Sequence, residues 1–248
     1  MSDTRPRIRK IYQKLDHSQS DNCSKHRNQQ QEECAFHITN AFRESDLQKL
    51  DNLRQKIPLD VSRPTCPRRF LTEKHLLDEE GDGNDDDDDR RQHMEDGWVG
   101  ALIDDTIQGD WDLPFRCLPW YRYLEYTEPG GHMAKHSDGS NVHPKTGARS
   151  VATMMIYLST CRTGGETTLY RKKERGKKKT KHRGLLAQTA QTDDADSNAN
   201  ILESIRPTYN TVLIFPHSWQ HSGDPVIEDP KIALRVDLAW DPDSSSDS

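Results

Sequence analysis

The sequence predicts a mainly β fold, a β-sandwich or barrel with two helices packed outside it. Strand-like segments follow one another from Leu118 onward, and Gly, Pro, Asn and Asp residues separate them. Many short strands within a block of this length are typical of closed or double-layered sheets. The predicted strands are 120–126, 151–158, 167–170, 211–215 and 232–240.

Two helices are predicted before these strands. The first spans 41–58, where leucines recur at helical spacing and Pro58 supplies a stop. Ser45 and Gln48 have the spacing of a capping box, which would begin this helix. The second spans 98–107, where apolar residues share one helical face.

Length and composition indicate one folded domain accompanied by polar segments. Hydrophobic residues make up 31% of the 248 residues and charged residues another 31%. Segments that are this polar cannot bury enough surface to offset their ordering entropy. The predicted organisation is a disordered N-terminal segment (1–33), a helical support region (34–110) with an acidic flexible insertion (78–96), a β core (111–241) with a basic and polar insertion (171–200), and an acidic tail (242–248).

The cysteines and the N-terminus bear on the compartment. The five cysteines are odd in number and form no CxxC pair, so no disulfide framework is expected. The N-terminus is polar, and no apolar run has transmembrane length. We therefore expect an intracellular protein of the cytoplasm or nucleus, with no membrane partner.

An H-x-D unit, His136-Ser137-Asp138, is the first candidate for a metal site. Residues two apart in an extended segment point to the same side, so one imidazole and one carboxylate can reach the same ion. His217 and His221 both follow a predicted strand and are candidates for a third ligand. Two histidines and one carboxylate on one face are typical of non-haem Fe(II) oxygenases, because oxygen and a co-substrate need open positions.

A wider set of motifs resembles a known family. From Tyr121 to Trp240 the chain is similar to the 2-oxoglutarate and Fe(II) dioxygenase superfamily, in particular its prolyl 4-hydroxylase-like branch. The matching stretches, in the family's order, are RYLEYTEPGGHMAKHSDG, RSVATMMIYLS, GGETTLY, IRPTYNTVLIFPH, HSGDPV and KIALRVDLAW. The resemblance implies a double-stranded β-helix, or jelly roll, in which two facing sheets hold iron inside one mouth.

The resemblance also selects the metal ligands. In this family the distal histidine opens an H-x-G-x-P-V stretch, which His221 does and His217 does not. The implied ligands are therefore His136, Asp138 and His221, with His217 as a loop residue near the mouth.

The implied co-substrate is 2-oxoglutarate. Relatives carry a Lys or Arg about ten positions after the distal histidine, where Lys231 stands and would pair with the far carboxylate. Arg235 would share that role, bind the near carboxylate or contact the substrate. Tyr126 stands where many relatives carry a tyrosine of the pocket, with Thr127 at the alternative spacing. Tyr157 and Thr167 resemble family residues that hydrogen-bond the co-substrate, with a packing role as the alternative for each.

The implied activity is hydroxylation of a substrate C–H bond, with a protein or peptide as substrate and release of succinate and CO2. Fe(2+) is the implied cofactor, O2 the second co-substrate, and L-ascorbate a candidate reductant. Met133 replaces a tyrosine that is usual in prolyl hydroxylases, which weakens the inference to a prolyl substrate more than the inference to the chemistry.

Two alternatives belong to other classes. An oxidative nucleic-acid demethylase on the same fold would bind phosphates through the basic run 171–183, which has nine Lys or Arg in thirteen positions. The competing interpretation of this basic run is a solvated loop that connects two strands. The other alternative is a non-catalytic β-helix binding module, against which the intact ligand set argues.

Overall fold

The computed structural model describes residues 5–12, 34–71, 97–171 and 200–241. Strands dominate this part of the chain, as predicted. In chain order the elements are β1 (Arg7–Tyr12), β2 (Cys34–Thr39), α1 (Glu44–Lys56), β3 (Arg68–Phe70), α2 (Gly97–Asp105), a π-helical turn (Thr106–Asp110), β4 (Phe115–Tyr126), β5 (Met133–His136), β6 (Ser150–Tyr157), β7 (Thr167–Tyr170), β8 (Ile201–Ile205), β9 (Thr211–Pro216), β10 (His221–Gly223) and β11 (Lys231–Trp240).

The strands form two antiparallel sheets. The larger has seven strands in the order β1-β2-β9-β6-β11-β4-β3, and the smaller has four in the order β5-β10-β7-β8. Buried side chains of both sheets share one apolar cluster, which includes Leu124 and Tyr157 from the larger sheet and Leu169 and Ile205 from the smaller. The space between the two sheets is therefore lined by both, and the site described below lies there.

Alternation along the strands gives the larger sheet two different faces. On β4, Tyr121 and Tyr123 pack in the apolar cluster that contains both helices, whereas Leu124 and Tyr126 pack toward the smaller sheet. The hydroxyl of Tyr123 donates to the backbone carbonyl of Leu50 in α1 at 2.6 Å. One face of the sheet thus contacts the helices, and the other is available for the site.

A buried carboxylate fixes α1 against the larger sheet. Glu125 is 3% exposed and accepts hydrogen bonds from Arg54 of α1, at 3.0 Å, and from Arg69 of β3. Because the charge of Glu125 is matched by two guanidinium groups, its burial on β4 is tolerated. The helix and the edge strand are consequently tied to the strand that carries Tyr126.

The predicted helices differ from the observed ones at their ends. Helix α1 begins at Glu44 and has Arg43 at its N-cap without a side-chain cap, so the predicted capping box is wrong. Gln48 instead donates to the side chain of Glu44 at 3.3 Å. The predicted helix 98–107 is observed as α2 and continues into the π-helical turn.

The prediction that 1–33 is disordered is wrong for residues 7–12. They form β1, which pairs with β2 from Arg7 opposite Thr39 to Tyr12 opposite Cys34. Backbone pairing and the burial of Ile11 stabilise this strand, whose other side chains are exposed. Its sequence therefore shows no apolar pattern from which a strand could be predicted. The rest of that segment, residues 78–96, most of the insertion 171–200 and the tail 242–248 lie outside the described residues.

The expected helical region 34–110 also contributes β2 and β3 to the larger sheet. Residue 110 is therefore no boundary between a helical unit and a β unit. None of the helices in the described ranges is long and apolar enough to cross a membrane.

Candidate active site

The structure brings His136, Asp138 and His221 together at one end of the smaller sheet. His136 ends β5 and His221 begins β10, and the two residues lie opposite each other in this antiparallel pair. The Nε2 atom of His136 is 3.6 Å from Oδ1 of Asp138, and Nε2 of His221 is 3.5 Å from Oδ2. One ligand atom from each residue lies within 4.8 Å of the others.

Backbone carbonyls orient both imidazoles toward this centre. Nδ1 of His136 lies 2.8 Å from the carbonyl oxygen of Ala134, and Nδ1 of His221 lies 3.2 Å from that of Trp219. Because a carbonyl can only accept, each Nδ1 is the protonated nitrogen and each Nε2 keeps its lone pair for a metal. The donor set therefore fits a divalent ion.

The local charges favour the ionised carboxylate of Asp138 and the neutral form of His221. Burial acts to raise the pKa of Asp138, but its contact with His136, the charge of Arg235 and the hydrogen bond from Thr153 together hold this pKa well below its usual range. The same contact with Asp138 raises the pKa of His136. Burial lowers the pKa of His221 to about 4. Two histidines and one carboxylate are the ligand set of non-haem Fe(II).

A cavity of about 400 Å³ adjoins the three residues and extends between the sheets. Lys231 lies in its wall with 2% of its surface exposed. Its Nζ donates to Oγ1 of Thr167 at 3.0 Å, and the hydroxyl of Tyr157 donates to the same oxygen at 2.8 Å. The ring centroid of Tyr126 is 5.3 Å from Nζ. The four predicted co-substrate residues other than Arg235 thus form one cluster.

Lys231 has no anionic partner in this cluster. No carboxylate of the described residues lies within ion-pair distance of its Nζ, and burial lowers the pKa of Lys231 to about 8 despite the opposing charge of Asp224. An unpaired cation in the protein interior is unfavourable unless a ligand supplies the opposite charge. The cavity is therefore suited to a small anion.

Arg235 occupies a different position from Lys231. It lies 3.2 Å from Oδ1 of Asp138 and 3.0 Å from Oδ1 of Asp237, and it donates to Oγ1 of Thr153 at 3.3 Å. Thr153 itself donates to Oδ2 of Asp138 at 2.6 Å. The guanidinium and the hydroxyl together hold the carboxylate of Asp138 in place.

His217, the alternative distal residue, lies outside the three-residue cluster. It is buried, and its Nε2 is 4.0 Å from Oδ1 of Asp237. Burial lowers the pKa of His217.

Sequence reasoning missed several cavity residues. Arg122 stands four residues before Tyr126 on β4, and Thr153 stands four residues before Tyr157 on β6. Period two along the predicted strands could have assigned these residues to the cavity face. Arg68, which also lines the cavity, stands on a strand of three residues that is too short to show a period.

Comparison with known proteins agrees with this site. Residues 121–236 match the family model described as the 2OG-Fe(II) oxygenase superfamily. No curated protein matches the sequence. The matched segment contains His136, Asp138 and His221, and through this segment the chain is similar to 2-oxoglutarate-dependent Fe(II) oxygenases.

Solved structures share the jelly-roll fold. An oxidoreductase of the 2OG-Fe(II) oxygenase family from Burkholderia pseudomallei is 12% identical, with 83% of this chain and 84% of that chain covered and a TM-score of 0.50. The non-haem α-ketoglutarate-dependent carbocyclase SnoK from nogalamycin biosynthesis is 11% identical, with 83% and 80% covered and a TM-score of 0.50. HygX from Streptomyces hygroscopicus, with nickel and 2-oxoglutarate bound, is 10% identical, with 83% and 82% covered and a TM-score of 0.50. At these identities the likeness confirms the predicted double-stranded β-helix and does not select a substrate.

Proposed function

We propose that this dioxygenase hydroxylates a C–H bond of a protein or peptide in the manner of prolyl 4-hydroxylases, with release of succinate and CO2. The observation that carries the co-substrate assignment is the buried, unpaired ammonium of Lys231 beside the cluster of His136, Asp138 and His221. The peptide substrate rests on the stretches that resemble the prolyl branch, above all the HSGDPV segment that His221 opens.

His136, Asp138 and His221 would hold Fe(II). A bound Fe(II) would supply the activation of dioxygen that oxidative decarboxylation of 2-oxoglutarate and hydroxylation of the substrate require. Arg235 and Thr153 keep the carboxylate of Asp138 ionised and fixed, since they donate to both of its oxygens. The backbone carbonyls of Ala134 and Trp219 keep the two imidazoles turned toward the metal.

Lys231 would bind the far carboxylate of 2-oxoglutarate. Its ammonium is fully enclosed, so a carboxylate that reaches it loses its water and gains a charge-assisted hydrogen bond. Thr167 holds the ammonium in position and is itself held by the hydroxyl of Tyr157. Tyr126 closes the same end of the cavity with its ring and keeps water away from the pair.

The test is the formation of succinate from 2-oxoglutarate by the full chain, with and without Fe(II), in the presence of a degenerate peptide pool or an oligonucleotide pool. We expect Fe(II)-dependent succinate that peptides stimulate, a hydroxylated peptide heavier by one oxygen, and no product from Asp138→Ala. Ascorbate belongs to the same proposal and is expected to prolong turnover. Stimulation by oligonucleotides alone would replace the peptide with a nucleic-acid substrate, and no Fe(II)-dependent succinate under any condition would overturn the proposal.

A further inference from the structure

The cavity lining is strongly cationic in a chain whose net charge is −6. Six lysines and arginines line it, whereas Asp138 is the one carboxylate among the lining residues. Fe(II) and 2-oxoglutarate carry equal and opposite charges, so their binding leaves this excess unchanged. The cationic residues are Arg63, Arg68, Arg122, Lys135, Lys231 and Arg235.

Two of these arginines, Arg68 and Arg122, have no role in the proposed metal and co-substrate sites. Arg122 of β4 lies opposite Arg235 of β11 on one side and opposite Phe70 of β3 on the other. Arg68 stands two residues before Phe70, so it shares the face of β3 that Phe70 presents. Arg68 and Arg122 therefore form a rim at the sheet edge, farther from the metal ligands than Arg235.

The ring of Phe70 holds both guanidinium groups. The guanidinium carbon of Arg68 is 5.1 Å from the ring centroid, and that of Arg122 is 5.9 Å from the same centroid. Stacking on an aromatic ring restricts the planar guanidinium and leaves its edge free to donate. The two arginines are therefore arranged in advance for one common ligand.

The protein leaves this charge largely unmatched. Arg122 forms no ion pair with the described residues, and Arg68 has only Asp60, at 3.7 Å. The Nε of Arg68 is buried and has no hydrogen-bond partner in the described part of the chain. Burial and the charge of Arg235 lower the pKa of Arg122, which is consistent with excess positive potential at the rim. Half-buried donors of this kind are satisfied when an anion binds.

We infer that Arg68 and Arg122 bind a carboxylate of the substrate, so that the preferred substrate is an acidic peptide with an Asp or Glu side chain near the hydroxylated residue. This inference rests on the proposed function and names the substrate class of the same site. The planar pairing of guanidinium with carboxylate gives both affinity and orientation. Arg63, which is exposed and also lines the cavity, adds to this cationic surface.

The same features disfavour a nucleic acid. Binding to a nucleic-acid backbone uses many phosphate contacts along an open surface, whereas Arg68 and Arg122 are partly enclosed at the cavity mouth. A single carboxylate fits this arrangement better.

The experiment uses the full chain with Fe(II) and 2-oxoglutarate. Three degenerate peptide pools of equal length are compared, which differ only in whether Asp and Glu, Asn and Gln, or Lys and Arg occupy the variable positions. We expect the acidic pool to give hydroxylated product about tenfold more efficiently than the amide pool, the discrimination that one charge-assisted pair supplies. Arg68→Ala and Arg122→Ala should remove this preference chiefly by raising the KM for acidic peptides. Arg122→Glu should transfer it to the basic pool.

Arg116→Ala is the matched control, because Arg116 lies on the same strand but pairs with Asp241 outside the cavity. It should keep the wild-type preference. Equal use of the acidic and amide pools by the wild type, with Fe(II)-dependent succinate still formed, would overturn the inference and leave the proposed function standing. The inference would also be overturned if both Arg variants kept the preference for acidic peptides, or if their defect were confined to the KM for 2-oxoglutarate. Stimulation by oligonucleotides in place of peptides would overturn it as well.

Discussion

The ammonium nitrogen of Lys231 lies 3.0 Å from the hydroxyl oxygen of Thr167, although only 2% of Lys231 is exposed. The two residues come from different sheets, since Lys231 begins β11 and Thr167 begins β7. A charged group is therefore held between the layers by a neutral hydroxyl. This relationship leads to the first two predictions.

Lys231→Ala should raise the apparent KM for 2-oxoglutarate by two to three orders of magnitude. Loss of one member of a buried charge pair costs roughly 3–5 kcal/mol, because the other is left desolvated. Steady-state succinate formation measures this change. Fe(II) affinity without co-substrate, measured by titration calorimetry, should barely change, because Lys231 is no ligand. Arg235→Ala is measured in parallel. If Lys231→Ala binds 2-oxoglutarate normally and Arg235→Ala does not, Arg235 is the residue that binds the far carboxylate.

Lys231→Met should stabilise the protein in the absence of 2-oxoglutarate. The pKa of Lys231 falls from 10.5 to about 8 because of burial, so the unfolded chain binds more protons between these values and stability rises with pH across that window. Below pH 8 the full cost of the buried charge is present, up to about 3 kcal/mol. Urea denaturation at pH 7 and at pH 10 should show a gain for Lys231→Met at pH 7 that shrinks at pH 10. Lower stability of the variant at pH 7 would contradict a buried charge at this position.

His221→Ala should abolish hydroxylation, and His217→Ala should retain much of it. Of these two histidines, His221 directs a ring nitrogen at the carboxylate of Asp138, whereas His217 lies beside Asp237. Fe(II) affinity and coupled turnover measure the difference. The reverse outcome, an inactive His217→Ala and an active His221→Ala, would show that the assignment of His221 as the distal ligand is wrong.

Thr153→Val should weaken Fe(II) binding by about 10- to 100-fold, the usual effect of removing a group that orients a metal ligand. Its hydroxyl donates to Asp138 at 2.6 Å, and valine keeps the shape while losing the donor. Thr168→Val is the matched control, because this buried threonine of β7 bonds to Ser204 and Asp224 and does not touch the ligands. Equal Fe(II) affinities in the two variants would show that Thr153 has no part in positioning Asp138.

Replacement of residues 172–199 by a short Gly/Ser linker should preserve the fold. The flanking residues are already joined, since the backbone nitrogen of Arg171 donates to the carbonyl oxygen of Asn200 at 2.7 Å, and β7 pairs with β8 next to them. Closing a short loop between ends that already meet has a small entropic cost. Circular dichroism, thermal unfolding and Fe(II)-dependent succinate formation check the variant. Insoluble or unfolded protein would show that the segment belongs to the core.

The sequence by itself determined the long strands and the candidate ligands. Apolar runs rich in β-forming residues are a local property, so 151–158 and 232–240 were recognisable without knowledge of their neighbours. The H-x-D unit is local for the same reason, and the HSGDPV stretch distinguished His221 from His217. These predictions needed only residues close together in the chain.

The tertiary structure alone decided which side chains meet across strands. β1 and β3 have few buried apolar side chains and are stabilised by pairing with distant segments, so their sequences show no period. Arg235 contacts Asp138 because β11 lies beside β6 and faces the end of β5, and Arg68 meets Arg122 because β3 pairs with β4 in one register. Strand pairing joins residues far apart in the chain, and a shift of one residue would turn each of these side chains to the opposite face. Local patterns do not record that register, which is why the cationic rim and the partners of Asp138 became visible only in the folded protein.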